Sequence, residues 1–241
     1  MSPNSRPRVV LLQVRGDHFV EGQEQECFRE ACDLPAERLV AINLLVRPRV
    51  PYAEVADADA LILGGAGAHS ALDDHPFTAP LSDLVLRWID EGRPLFGSCW
   101  GHQFLGRLLG GELAHDPERG EIGTFEVELT AAGRADPLLD GLPERFLVQL
   151  GHLDRIAAPP LTMVELARSE RCPQQLVRVA DKPVYGSQFH PEIDRRHFLD
   201  RLAVYRRDYA PSEEELLKVE RTLRASPEAA RLLPRFLELY T

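Results

Sequence analysis

The chain has 241 residues, 44% of them hydrophobic and 27% charged, with a formal net charge of −10. That length admits one large domain or one domain with an appendage, and the apolar content suffices for a full core. The acidic balance argues against a nucleic-acid footprint or a cationic membrane-binding surface, and no apolar run reaches the length that spans a bilayer.

The opening stretch, MSPNSRPRVVLLQVRG, lacks the apolar centre of a secretory signal. Residues 8–14 (RVVLLQV) are expected as a buried strand and 19–32 as a helix. A second apolar run, RLVAINLLV at 38–46, precedes a third strand in ADALILGG at 58–65, with glycines at Gly64, Gly65 and Gly67. PLSDLVLRWIDEG (80–92) spaces its apolar residues as a helix, and Gly92 stands at the expected C-cap. RPLFGSC (93–99) then reads as a short strand and GHQFLGRLLGG (101–111) as a helix. Apolar strands alternating with helices predict a mostly parallel sheet covered on both faces. From 112 to 190 the runs TFEVEL, RFLVQL, TMVELA, QLVRVA and PVYGSQF follow at short intervals, and they predict antiparallel strands added to that sheet.

DRRHFLDRLAVYRRDY (194–209) is expected to be helical. The stretch 211–241 contains no glycine and two helix starts. Ser212–Glu215 fits a capping box, and Ser226–Pro227 puts proline at a first helical position. Leu216, Val219 and Leu223 share one face. The stretch is expected to be a helical extension of a domain spanning 1–210, with a lid or an oligomer interface as alternatives.

Cys27, Cys32, Cys99 and Cys172 form no CxxC pair and show no disulfide spacing, which suggests a reduced, cytoplasmic setting. Cys99 differs from the rest. It sits in GSCWGHQ (97–103), between a strand and a helix, and Gly-x-Cys-x-Gly there has the form of a nucleophile elbow. The glycines permit a sharp turn, and the following helix aims its N–H groups and dipole at the sulfur, favouring thiolate. A cysteine nucleophile needs a base. Of the eight histidines, His18, His69, His75, His115 and His197 are read as surface or structural. His190 lies in GSQFHPE at a strand end, where Pro191 keeps its backbone extended. Glu192 is within reach of its ring, completing a nucleophile, base and orienter. Cys99 and His190 are 91 residues apart, so the fold must bring them together.

GSCWGHQ followed downstream by QFHPE resembles the class I glutamine amidotransferase family, over roughly residues 8–195. The resemblance implies a flavodoxin-like α/β three-layer sandwich. It implies that Cys99 attacks the γ-carboxamide of glutamine, that ammonia leaves, and that water resolves a γ-glutamyl thioester. His190 would act first as acid and then as base. LGGAGA (63–68) falls where the family has its oxyanion loop, which assigns the oxyanion donors to the N–H groups of Gly65 and Trp100. Substrate contacts are implied for Gly67, for Gln103, and for His152, Leu153 and Asp154 in LGHLDRI. Two departures stand out: Leu153 where glycine is usual, and Trp100 where many members have Leu, Tyr or Phe, so that its bulk is expected at the pocket mouth. His102 is read as structural. No metal or cofactor is implied.

Members of this family hand ammonia to a synthetase, yet no GxxxxGK[ST] phosphate loop appears in the chain. A separate ammonia-accepting synthetase is therefore the expected partner. A hydrolase of γ-glutamyl peptides or conjugates is the alternative, and a non-catalytic glutamine-binding protein is a third reading that the intact Cys99, His190 and Glu192 disfavour.

Overall fold

A computed structural model describes residues 6–241. Residues 1–5, which begin both the expected 1–210 domain and the stretch read as lacking a secretory signal, lie outside the described residues. The first half alternates strand and helix: β1 (Val9–Gln13), α1 (His18–Ala31), β2 (Leu39–Asn43), a short α2 (Tyr52–Val55), β3 (Ala60–Leu63), α3 (Thr78–Asp90), β4 (Leu95–Ser98) and α4 (Trp100–Leu108). Next come β5 (Glu112–His115), β6 (Glu121–Leu129), α5 (Ala131–Arg134), β7 (Arg145–His152), β8 (Asp154–Ala158), β9 (Met163–Arg168), β10 (Leu176–Val179) and β11 (Val184–Ser187). Four helices close the chain: α6 (Arg195–Val204), α7 (Arg206–Tyr209), α8 (Glu213–Thr222) and α9 (Leu232–Tyr240).

Nine strands form one sheet in the order β2-β1-β3-β4-β11-β10-β9-β6-β7. The first five are parallel, which is the flavodoxin-like order with β11 as fifth strand. β10, β9, β6 and β7 extend it antiparallel. PVYGSQF therefore departs from expectation. β11 runs parallel to β4, from Val184 beside Leu95 to Ser187 beside Ser98, and only its other neighbour, β10, is antiparallel. Every residue of β11 is buried, as an interior strand requires.

Alternation along β1 shows why both faces are covered. Val10 and Leu12 cluster with Leu61, Leu63, Trp88 and Phe104. Val9 and Leu11 cluster instead with Ile62, Phe96, Phe28 of α1 and Phe236 of α9. Burying a side chain such as Phe28 or Phe236 contributes about 1.5–3 kcal/mol relative to exposure. Helix α9 thus shares one core with β1, β4 and β11.

The segment 194–209 is helical as expected, with one break at Tyr205 (φ −95°, ψ 22°), whose ring packs beneath the glycine loop after β3. One helix expectation needs correction: Pro227 does not open an α-helix. The Ser226 hydroxyl accepts a hydrogen bond from Gln149 Nε2 at 3.2 Å, and the α-helix begins only at Leu232. The capping box at Ser212 is formed, with Glu215 N–H donating to Ser212 Oγ and Ser212 N–H donating to Glu215 Oε2. Among the described residues no helix is long and apolar enough to cross a membrane.

Candidate active site

β4 ends at Ser98 and α4 begins at Trp100, which leaves Cys99 alone on the turn with φ +50° and ψ −97°. A non-glycine residue there is strained and persists only when its surroundings hold it. Cys99 N–H donates to Ser187 O at 2.7 Å, tying the turn to β11. The flanking glycines follow from close approach: a Cβ on Gly101 would lie 2.4 Å from Leu63 O, and one on Gly97 would lie 2.7 Å from the Gly101 backbone. Cys27, Cys32 and Cys172 are buried, and burial pushes their thiols up, to about 12 for Cys27 and Cys172. Cys99, by contrast, is partly exposed and lines a cavity together with His190.

β11 delivers that base. His190 follows the strand, and its ring lines one cavity with Cys99 while Nδ1 lies 2.7 Å from Glu192 Oε1. Burial opposes the imidazolium, but the Glu192 carboxylate and the Cys99 sulfur outweigh it and hold the His190 pKa up at about 9. Burial also acts against the Glu192 charge, and His190 with Arg201 reverse it, so the carboxyl lies below its ordinary range. Two residues that sequence reasoning missed hold Glu192. Ser98 Oγ donates to its Oε2 at 2.9 Å, and Arg201 Nη1 stands 3.7 Å from Oε1. Gln188 Nε2 donates to Cys99 Sγ at 3.7 Å and Gln188 Oε1 accepts from Gln103 Nε2 at 3.2 Å, linking the sulfur to the substrate side.

The glycine loop after β3 covers a buried ion pair. Arg15 Nη2 lies 2.6 Å from Glu24 Oε1, with both side chains almost fully enclosed. Burial penalises both charges, and their mutual attraction overcomes it, raising Arg15 and lowering Glu24. A Cβ on Gly64 would meet Glu24 at 2.9 Å and one on Gly65 would meet Arg15 at 2.6 Å, so the loop is glycine because the pair passes beneath it. This corrects one expectation. Gly65 N–H donates to Glu24 Oε1 at 2.9 Å and is not free for an oxyanion. Trp100, first residue of α4, retains a first-turn N–H with no intrahelical acceptor. Its ring is 4% exposed and stacks on Phe104 at 5.2 Å, so most of its bulk lies in the core, while Trp100 also borders the larger cavity beside Cys99.

Cys99 stands between two cavities. One, of about 50 Å³, is lined by Cys99, His190, Arg15, Phe198, Leu202 and Tyr205. The other, of about 400 Å³, is lined by Cys99, Gln103, Leu153, Asp154, Ser70 and His115. Gly67 and Tyr209 border both, and Tyr209 OH donates to Gly67 O at 3.3 Å. Of the residues expected to hold substrate, Gly67, Gln103, Leu153 and Asp154 gather at the larger cavity. His152 lines it as well, but its ring is committed inward, with Nε2 3.1 Å from the buried Glu121 Oε2. His102 is wholly buried in α4, and burial pushes its pKa down to about 3, which keeps it neutral. Among the described residues no group of three or more His, Cys, Asp or Glu side chains is arranged to hold a metal.

A family model described as glutamine amidotransferase class-I matches residues 41–202. The chain belongs to that family. Curated relatives include a glutamine-hydrolyzing GMP synthase subunit of Archaeoglobus fulgidus, 29% identical over 154 residues, covering 64% of this chain and 77% of that protein. The corresponding GMP synthase subunit of Sulfurisphaera tokodaii is 32% identical over 150 residues, 62% of this chain and 76% of its own. The match to the GMP synthase of Thermosipho africanus, 34% identical over 143 residues (59% of this chain), spans only 26% of that protein. Among solved structures, a glutamine amidotransferase from Thermotoga maritima aligns over 97% of this chain and 98% of its own, with a TM-score of 0.75 at 21% identity. One from Methylobacillus flagellatus aligns over 98% and 96%, also at 0.75, with 22% identity. At these identities the two structures bear on the fold alone. The segment matched to the class I amidotransferase family includes Cys99, His190 and Glu192 but begins after Arg15 and Glu24.

Proposed function

We propose that the protein hydrolyses the γ-carboxamide of glutamine through a γ-glutamyl thioester on Cys99, releasing ammonia and glutamate. Sγ adds to the carboxamide carbon, and the Trp100 N–H faces the developing oxyanion. Collapse breaks the C–N bond while His190 gives its proton to the departing nitrogen. A water then loses a proton to His190 and attacks the thioester carbon, and glutamate leaves with the sulfur restored. Ser98 and Arg201 hold Glu192, which orients the imidazole.

The observation that carries this reading is the size of the cavity on the imidazole side. The leaving nitrogen must lie beside His190, because that ring protonates it. The cavity there measures about 50 Å³. In the same measure a water needs about 10–15 Å³, so the space admits a few small molecules and suits ammonia, whereas the cleft on the other side of Cys99 measures about 400 Å³. The ammonia acceptor in this reading is a separate synthetase, in keeping with the relatives named as GMP synthase subunits. Comparing kcat/KM for glutamine and for a γ-glutamyl dipeptide tests it. Glutamine is expected to lead by ~100-fold or more, and a dipeptide lead of ~100-fold, about 2.7 kcal/mol in transition-state binding, would overturn the assignment.

A further inference from the structure

The larger cavity ends at a carboxylate that three distant segments immobilise. β5 pairs antiparallel with β8, which sets His115 directly opposite Asp154. His115 Nδ1 lies 2.7 Å from Asp154 Oδ1, and Ser70 Oγ, from the loop after β3, donates to Oδ2 at 2.5 Å. The Asp154 backbone is pinned too: its carbonyl accepts from Gln103 Nε2 at 2.6 Å and lies 3.0 Å from His152 Nδ1. The Asp154 side chain is 14% exposed, so it is largely withdrawn from water yet opens onto the cavity. Ser70, His115 and Asp154 all line that cavity with Cys99 and Gln103.

An ionised carboxylate has about four acceptor positions. Ser70 and His115 take one on each oxygen and leave the others for a donor arriving from the cavity. With a proton on Nδ1, His115 donates to Asp154. The geometry points to Ser70 and His115 as positioning residues that aim Asp154 at the α-ammonium group of the glutamyl substrate and so select for a free amino end. Neither residue touches the scissile bond, and their effect is confined to binding the far end of the substrate. Pre-organisation explains the arrangement: a carboxylate fixed in advance loses little freedom when the ammonium docks. The inference rests on the proposed glutamine substrate.

Steady-state kinetics of the full chain with glutamine and with glutaramate, which has the same carboxamide and no α-amino group, test it. Asp154→Asn is expected to raise the KM for glutamine ~10-fold or more, and Ser70→Ala and His115→Ala ~3–10-fold, with kcat changed little. Ser70→Thr and His115→Asn, which retain a donor, should restore most of the loss. With glutaramate the KM penalties of Ser70→Ala and His115→Ala should shrink to within ~2-fold, because the group that Asp154 reads is missing. Equal penalties on both substrates, or an unchanged KM for glutamine beside a raised one for Asp154→Asn, would overturn the positioning role alone. Wild-type protein with no turnover of glutamine would overturn the proposed function and this inference with it.

Discussion

The two sides of Cys99 are built on opposite plans. Toward Asp154 the site is a cleft of about 400 Å³ with polar groups already oriented. Toward His190 it is a chamber of about 50 Å³ roofed by Phe198, Leu202 and Tyr205. In the proposed reaction the acyl side would be formed by the β3–α3 loop, α4 and the β5–β8 ribbon, and the leaving side by β11 and α6. One side would then read the substrate by hydrogen bonds and the other would limit it by volume. Hydrogen-bonded recognition rejects analogues that leave buried groups unpaired, whereas a small apolar wall rejects anything larger than its space.

The largest effects should come from the groups shared by both sides. Cys99→Ala is expected to abolish hydrolysis of every substrate. His190→Ala should lower kcat by ~10²–10⁴-fold, and Glu192→Gln by less, since a mis-oriented imidazole keeps some basicity. Ser98→Ala removes the hydrogen bond that steadies Glu192 and a longer contact, 3.4 Å, to His190 Nδ1, and should cost ~3–10-fold. Equal rates across this series, measured with glutamine, would break the assignment of the triad.

Changing one wall should have a smaller, selective effect. Leu202→Ala enlarges the leaving-side chamber, and kcat/KM for a γ-glutamyl dipeptide relative to glutamine should rise ~10-fold or more. The same substitution leaves the acyl side untouched, so a rise in KM for glutamine comparable to that of Asp154→Asn would blur the comparison.

The smallest expected signal is in stability. His190 is held at about 9 in the folded protein against an ordinary 6.5. The protonated ring therefore contributes stability that is fully present below about pH 6.5 and is lost as pH rises through about 9. Denaturant unfolding of wild type and His190→Asn across that window should show wild type losing its advantage as pH rises. In Cys99→Ala the loss should come at lower pH, because the sulfur helps raise the imidazole.

The elbow was legible because its cause is local. Gly97 and Gly101 flank Cys99 for clearance that any strand-to-helix turn of this sharpness needs, and the strand and helix on each side carry ordinary apolar spacing. The parallel half of the sheet was legible for a similar reason. Other features depend on partners far along the chain. Gly65 N–H is taken by Glu24, 41 residues earlier, and nothing in LGGAGA announces a buried carboxylate beneath it. An apolar strand run ending in Arg15, with Glu24 one helix later, was the available signal. The direction of β11 is a property of its neighbours, so PVYGSQF alone does not distinguish a parallel from an antiparallel strand. His115 reads as an isolated surface histidine until β5 pairs with β8.

The place of β11 between β4 and β10 also sets when the candidate site is assembled. The thiol, its elbow and helix α4 are complete once the first 108 residues are made, but His190 and Glu192 arrive more than eighty residues later. They reach Cys99 only when β11 inserts as an interior strand, and Phe236 near the carboxyl terminus shares the core that backs it. Long-range pairings of this kind form late in folding. A nascent or clipped chain therefore carries Cys99 without the histidine that stands beside it, and the candidate site is assembled only after the sheet has closed.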